Sequence, residues 1–314
     1  MTLINKICKT VMLGFLLMHV PCPLPSLAVP EVQQIDISEP KAHDLFMWKV
    51  KTPVSTAYLV GSIHMLPPDF FPLPGDIEKA FNKSPTLIVE ANIDDRANET
   101  RQMMMSRALY PNGDKLPDHI SKKTLAELTE YLRKNGMSAE RFSKMKPWFI
   151  AATIALLQLQ QQGFDPESGI DKHFLAEART AEKSIVPLES AEFQLNVLSN
   201  FNDEDQEKFL QSALMDAENA PEDARTMVHA WKTGDGNEMF SIISRDEREH
   251  PDLKPIMNKI LYDRNASMTA KLDELMEKPG TYFVVLGAGH IVGPDGIVSR
   301  LRQKHYDVEQ VAGR

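Results

Sequence analysis

Two short motifs near opposite ends of the chain each place a histidine just after a run of apolar residues. The first is Gly-x-x-His, from Gly61 to His64, and the second is Gly-x-Gly-His, from Gly287 to His290. Imidazole is the commonest metal ligand among side chains and also serves as a general acid or base near neutral pH. Either use requires the two histidines, more than two hundred residues apart, to meet in the fold.

Two glutamates stand in comparable positions. Glu90 follows the apolar run TLIV, and Glu189 follows SIVPL. Imidazole and carboxylate together are the ligand types of catalytic metal sites, which keep one position open for water. We expect His64, Glu90 and His290 to bind a divalent metal such as manganese, cobalt or zinc. The glutamate that is not a ligand, Glu189 in this assignment, would then be the general base.

Each of these residues also has a purely structural interpretation. A histidine after a strand is often a hydrogen-bonded structural residue, and a glutamate there can be the first solvated residue. The repetition of glycine with histidine favours the functional interpretation. The sequence contains no His-Glu-x-x-His helix, dinucleotide-binding loop, P-loop or Gly-x-Ser-x-Gly elbow. Ser62 lies beside His64, but the sequence supplies no base for it.

Three further polar residues are candidates for orienting a carboxylate or a substrate anion. Arg264 and Asn265 are adjacent on a predicted helix, and Asp171 follows Gly169 and Ile170. The alternatives are an ordinary surface position for the first two and a helix N-cap for Asp171.

The periodicity of apolar residues predicts which elements carry these side chains. Residues 95–278 have the three-and-four spacing of helices, apart from one short strand at 184–188, and the remaining strands lie near the two ends. Predicted strands are 45–50, 56–63, 86–91, 184–188, 282–287 and 306–311; predicted helices include 76–81, 121–135, 147–162, 205–215, 255–276 and 296–304. The prediction is an α/β (α+β) fold, with a central mixed sheet built from both ends of the chain and a large helical middle region.

The first 28 residues have the pattern of a cleaved export signal. Lys6 and Lys9 precede a short apolar run, 11–20, and small residues end at Ala28. The only two cysteines, Cys8 and Cys22, lie in this segment, so the mature chain would have no thiol. We expect a periplasmic or secreted protein. Lipid attachment at Cys22 is the alternative, although the preceding residues lack the usual small-residue pattern.

Residues 29–314 are expected to form a single domain, since no segment is rich enough in glycine or serine to be a linker. The formal net charge is −9, and lysine and arginine do not cluster, which argues against a nucleic-acid partner. No segment after the leader has the length of a membrane span. The sequence predicts no particular oligomeric state.

The order of these motifs resembles the TraB/GumN/Tiki family. The resemblance extends over most of the mature chain and is carried by FMWKV at 46–50, YLVGSIH at 58–64, VEA at 89–91, KPW at 146–148, GID at 169–171, PLE at 187–189, RN at 264–265 and VLGAGH at 285–290. It implies a fold related to the erythromycin esterase and ChaN-like proteins, with paired strand units in one sheet. It also implies that His64, Glu90, Glu189 and His290 line the site, with Arg264 and Asn265 nearby.

Tiki members look like metal-dependent proteases, which leads to the expectation of a metal-dependent hydrolase acting on a peptide or protein substrate. Arg264 would steady the oxyanion that forms during attack. Two alternatives stay open at this level. One is a non-catalytic protein that binds a peptide or haem in the same cleft, and the other is a metal-free, esterase-like hydrolase that uses histidine and glutamate as acid and base.

Overall fold

The computed structural model describes residues 44–92, 97–216 and 220–313. The predicted export signal, residues 1–28, lies outside these ranges. Within them, six strands form one mixed sheet in the order β4-β3-β5-β2-β1-β6. The strands are β1 (Asp44–Lys51), β2 (Ser55–Ser62), β3 (Thr86–Val89), β4 (Ser184–Pro187), β5 (Gly280–Gly287) and β6 (Asp307–Ala312).

Helices fill most of the remaining described chain. They are α1 (Gly75–Lys83), α2 (Ala97–Ala108), α3 (Lys122–Lys134), α4 (Pro147–Gln161), α5 (Ile170–Thr180), α6 (Ala191–Ser199), α7 (Asp203–Asp216), α8 (Ala220–Thr233), α9 (Gly236–Ile243), α10 (Arg245–Glu249), α11 (Lys254–Met257), α12 (Asp263–Met276), α13 (Ala288–Ile291) and α14 (Ile297–Gln303). The predicted α/β fold with a large helical region is therefore confirmed.

The two ends of the chain build the sheet together, as the sequence predicts. Strands β1 and β2 form an antiparallel hairpin, and β6 pairs with β1 at the sheet edge. Strand β5, from the C-terminal part, lies parallel between β2 and β3. Every residue of β5 from Tyr282 to Gly287 is buried, so both faces of this central strand are covered.

An aromatic cluster joins the sheet to two of its helices. Phe81 of α1, Phe174 of α5 and Phe283 of β5 lie with ring centroids 4.7–5.4 Å apart. Edge-to-face and tilted ring contacts of this kind stabilise a core beyond the area that they bury. Asp171 is the second residue of α5. The aromatic cluster therefore also fixes the helix that brings this carboxylate to the site.

The structure differs from the sequence prediction in one helix that bears on function. The predicted helix 255–276 is interrupted by a π-helical turn, Asn258–Tyr262, between α11 and α12. Such turns are rare and often occur at functional sites. Apolar spacing does not reveal the turn, because one wider turn shifts the spacing by a single residue.

Candidate active site

The four predicted site residues follow strands that lie side by side and run in the same direction. In the parallel register, Ser62 of β2 is opposite Gly287 of β5, and Val89 of β3 is opposite both Val285 and Pro187. The carboxyl ends of all four strands therefore meet at one edge of the sheet. Open α/β sheets bind ligands at this edge.

The side chains of Glu90 and Glu189 converge on one buried arginine. The Nε of Arg264 donates to Glu189 Oε1 at 3.0 Å, and Nη2 donates to Glu189 Oε2 at 2.7 Å and to Glu90 Oε2 at 2.9 Å. Burial alone would lower the pKa of Arg264, but the two carboxylates raise it. The guanidinium therefore stays charged and fixes the positions of both glutamates.

The π-helical turn explains how Arg264 reaches this position. The Nη1 of Arg264 donates to the carbonyl oxygen of Ile260, inside the turn, at 2.9 Å. A widened turn displaces backbone carbonyls from the regular ladder, so a side chain can use one of them as an acceptor. Arg264 is 1% exposed and is among the largest fully buried side chains in the described chain.

Gln194 is a site residue that the sequence analysis missed. Its Nε2 lies 3.2 Å from Glu90 Oε2 and 3.1 Å from Glu189 Oε2, so its amide donates between the two carboxylates. Gln194 lies on α6, which starts directly after Glu189, and is only 2% exposed. The sequence shows only that a glutamine lies on the apolar face of that helix, and this does not indicate which residues it binds.

His290 is fixed from one side by Asn265. The Oδ1 of Asn265 lies 2.5 Å from His290 Nδ1, and the Nδ2 of Asn265 donates to the carbonyl oxygen of Asp295 at 3.0 Å. Because Nδ2 must be the donor to that carbonyl, Oδ1 accepts from a proton on His290 Nδ1. The lone pair of the imidazole is therefore on Nε2.

His290 Nε2 lies nearest to Glu90 and has no hydrogen-bond partner among the residues that the structure describes. It lies 3.7 Å from Glu90 Oε1, and His290 is completely buried. Burial, together with the nearby charges of Arg264 and His64, holds the pKa of His290 well below its usual value, so the ring is neutral. Burial raises the pKa of Glu90 despite the opposing effect of Arg264. Glu90 Oε1 also accepts the backbone N–H of Gly287.

His64 is oriented by a different carboxylate. Its Nδ1 lies 2.9 Å from Asp171 Oδ1, and the hydroxyl of Ser62 donates to the same oxygen at 2.8 Å. Although burial would raise the pKa of Asp171, the charge of His64 and the hydrogen bonds from His64 and Ser62 hold it below its usual value. Ser62 binds Asp171 and shows no hydrogen bond to His64, so these three residues do not form a serine nucleophile with its base.

A close approach of two backbones makes the pairing of His64 and Asp171 possible. A Cβ at Gly169 would lie 2.4 Å from the carbonyl oxygen of His64, so only glycine fits there. Gly169 precedes α5, and Asp171 in its first turn reaches across to β2. Asp171 thus orients a histidine, which departs from the N-cap interpretation; Gly169 occupies the N-cap position without a side-chain bond.

The donors at this edge fit a divalent metal in their chemistry, although they are not gathered into a closed set. Within residues 44–92, 97–216 and 220–313, no three histidine, cysteine, aspartate or glutamate side chains lie close enough together to hold a metal ion. His290 and Glu90 alone present two donor atoms to one point. Two bonds of about 2.1 Å to a common ion span up to about 4.2 Å, which accommodates their 3.7 Å separation.

The fold and this edge define an α/β protein with a polar site at the carboxyl ends of its parallel strands. Two histidines there are each oriented through Nδ1 by a side-chain oxygen, and two glutamates share an arginine. The chain belongs to the TraB/PrgY/gumN family, whose family model matches residues 46–310. The resemblance carried by the sequence motifs is thereby confirmed.

Similar proteins include both uncharacterized bacterial chains and animal metalloproteases. The uncharacterized protein YbaP of Shigella flexneri is 28% identical over 255 residues, which cover 78% of this chain and 88% of YbaP. Metalloprotease TIKI1 of Danio rerio is 22% identical over 316 residues, covering 84% of this chain and 62% of TIKI1. Metalloprotease TIKI2 of Xenopus tropicalis is 23% identical, covering 84% and 59%. No solved structure matches significantly. The presence of metalloproteases among these relatives fits a hydrolase.

Proposed function

We propose that this protein is a metal-dependent hydrolase that cleaves peptide bonds at the carboxyl edge of its sheet. The observation that carries the proposal is the pair formed by His290 Nε2 and Glu90 Oε1, 3.7 Å apart, with the Nε2 lone pair buried and without a partner. An unpartnered buried nitrogen costs free energy unless a ligand satisfies it. A cation between the two atoms would do so.

The charges at the site support the same proposal. Two carboxylates, Glu90 and Glu189, share the single positive charge of Arg264, and His290 is neutral. The raised pKa of Glu90 reflects the cost of keeping its carboxylate charged in this buried position. A divalent ion next to Glu90 Oε1 would offset that cost.

His290 and Glu90 would hold the metal. His64, which does not lie close enough to that pair in this structure, would join them from the neighbouring strand if the ion drew its side chain closer. Both histidines carry on Nδ1 the hydrogen-bond partner that metal-binding histidines usually have, which is Asn265 for His290 and Asp171 for His64. A divalent metal so held supplies a bound water with a pKa near 7 and polarises a carbonyl group.

Glu189 and Arg264 would then contribute to the reaction in different ways. Both oxygens of Glu189 bind Arg264, so Glu189 accepts a proton from an attacking water only if that ion pair loosens when substrate binds. Arg264 contributes a fixed positive charge beside the reacting carbonyl, which favours a developing oxyanion. Asn265 positions His290 and does not itself touch the reacting atoms.

A metal-free hydrolase is the second candidate, and the pairing of His64 with Asp171 favours it. A histidine with a carboxylate on Nδ1 is the arrangement of a general base in many hydrolases. In that case His64 would accept the proton of the attacking water without any metal. The two candidates predict opposite responses to a chelator.

The test is peptide hydrolysis by the purified chain after removal of metals. We expect activity on a denatured protein substrate to be lost in chelator and restored by manganese, cobalt or zinc, and to be absent in His290→Ala. His229→Ala is the matched control, because His229 is an exposed histidine on α8. Full activity in chelator would reject the metal-dependent proposal in favour of the metal-free one.

We also propose that the protein acts after export. The basic and apolar leader at residues 1–28 motivates this proposal. No helix of the described segments is both long and apolar enough to cross a membrane. Determining the N-terminal residue of the protein recovered from a periplasmic or culture fraction tests the proposal, with Val29 expected; a chain that retains Met1 in the cytoplasm would contradict it.

A further inference from the structure

A cleft between two helices borders Arg264. Its volume is about 320 Å³, which is at the small end of ligand-binding pockets. Residues of one face of α6 form one wall, and residues of the π-helical turn and α12 form the other. The lining residues are Phe193, Asn196, Val197, Asn200, Phe201, Lys259, Asp263, Arg264 and Ser267.

The wall formed by α6 carries an apolar side chain that is exposed to solvent, and this exposure costs free energy. Phe193 is 45% exposed and is one of only three large apolar side chains that are exposed in the described chain. Phe193 and Val197 are four residues apart and share a helix face with Asn196 and Asn200, whose amides can pair with a peptide backbone. An apolar surface edged by amides matches a peptide side chain and its adjoining backbone.

Arg264, which is 1% exposed, lies between the carboxylate cluster and the cleft. Arg264 lines it and donates to both Glu90 and Glu189. Helix α6 also carries Gln194, whose amide lies between the same two carboxylates. A side chain seated in the cleft would therefore contact Arg264 and be separated by it from the two glutamates.

We propose that this cleft is a specificity pocket for an apolar side chain of the peptide substrate, such as phenylalanine, leucine or methionine. The proposal rests on the peptidase function proposed above. Phe193 and Val197 contact the apolar side chain, and the opposite wall, at Ser267, sets the width of the pocket. Aromatic and aliphatic contacts supply most of the affinity in pockets of this kind.

Binding of two small amides tests the pocket without requiring catalysis. Ligand-observed NMR titrations of the full chain would use N-acetyl-phenylalaninamide and N-acetylglycinamide. We expect only the first to bind, and Ser267→Trp to weaken it at least tenfold by filling the cleft. Ala266→Trp is the matched control, because Ala266 is also exposed on α12 but does not line the cleft. Phe193→Ala should weaken binding as well, since it removes an exposed wall.

The outcomes separate this inference from the proposed function. Equal binding of both amides, or equal affinity in Ser267→Trp and Ala266→Trp, would overturn the pocket. Cleavage of a mixed peptide library, read by mass spectrometry, addresses both points. Cleavage with no preference for apolar residues overturns the pocket and leaves the peptidase intact. Selective binding without any cleavage supports the pocket and rejects the peptidase.

Discussion

The Nε2 atom of His290 lies 3.7 Å from Oε1 of Glu90, in the interior of the protein and at the ends of two adjacent parallel strands. The backbone N–H of Gly287 and the amide of Asn265 hold the two side chains from behind. The same Oε1 atom accepts from Gly287, so its second lone pair is the one available beside His290 Nε2. This pair links the second Gly-His motif to the first glutamate.

Removing the acceptor on Asn265 should weaken metal binding while leaving the metal ligands in place. Asn265→Leu deprives the Nδ1 proton of His290 of its partner, so we expect a 10- to 100-fold loss of metal affinity, the usual effect of losing such a partner. Asn265→Asp retains an oxygen acceptor for His290 but loses the N–H that donates to Asp295, so its loss of metal affinity should be smaller than that of Asn265→Leu. Competition with a chromogenic chelator measures the affinities; equal values for the leucine variant and the wild type would contradict the account.

The carboxylate of Asp171 should matter more than the hydroxyl beside it. Asp171→Ala leaves His64 without its Nδ1 partner, and we expect the same 10- to 100-fold loss of metal affinity. Ser62→Ala removes a hydrogen bond to Asp171 but keeps the contact between Asp171 and His64, so its effect should be several-fold smaller. The same chelator competition compares the two variants, and a larger effect of Ser62→Ala would show that Asp171 does not act through His64.

Removing Arg264 should destabilise the protein strongly. Arg264→Met leaves the buried carboxylates of Glu90 and Glu189 without their counter-charge, and breaking a buried ion pair in this way costs about 3–5 kcal/mol. Urea unfolding followed by circular dichroism measures the loss. The control is Arg133→Met, because Arg133 pairs with Glu130 in solvent and its loss should leave the unfolding midpoint unchanged.

A second substitution shows whether the loss comes from the charges. Adding Glu189→Gln to Arg264→Met removes one of the two uncompensated carboxylates, so the double variant should be more stable than Arg264→Met alone. A double variant that is less stable than either single variant would instead indicate that packing, and not charge, dominates at this position.

The low pKa of His290 should make stability fall in acid. An unfolded histidine binds a proton below about pH 6.5, whereas His290 in the folded protein stays neutral until a much lower pH. The unfolded state therefore binds more protons, and the free energy of unfolding decreases as the pH falls below about 6.5, by about 1.4 kcal/mol per pH unit. His290→Leu lacks this contribution.

Urea unfolding in the presence of chelator at pH 7, 6 and 5 measures the effect. The free energy of unfolding of the wild type, relative to that of His290→Leu, should decrease between pH 6 and pH 5. A difference that is constant across this range would mean that His290 takes up its proton equally in the folded and unfolded states, contrary to its burial beside Arg264.

The ends and the direction of the strands could be predicted from the sequence, and they indicated where the candidate site lies. His64, Glu90, Glu189 and His290 each follow a short apolar run, and parallel strands bring such positions to one edge. The sequence also indicated Arg264, Asn265 and Asp171 as orienting residues. Their partners were not predictable, because which carboxylate or imidazole each one meets depends on the tertiary packing of helices.

The sequence did not predict Gln194 as a site residue, nor did it predict the π-helical turn. A glutamine on a helix that follows Glu189 is compatible with many positions, and only the packing of α6 against α2, α4 and the π-helical turn places its amide between two carboxylates. The turn at Asn258–Tyr262 alters the spacing by one residue, which apolar periodicity does not resolve. Gly61, the first residue of the Gly-x-x-His motif, lies within β2, where a Cβ would come within 2.3 Å of the Phe46 ring.

The metal content of the purified chain, measured by plasma mass spectrometry without an affinity tag, tests the central claim most directly. The account predicts about one equivalent of a transition metal in the wild type and none in His64→Ala/His290→Ala. The control variant His119→Ala/His229→Ala, which removes one histidine paired with Asp203 and one exposed histidine on α8, should retain the metal. Equal metal content in the two double variants, or no metal in the wild type even after incubation with manganese, cobalt and zinc, would contradict it.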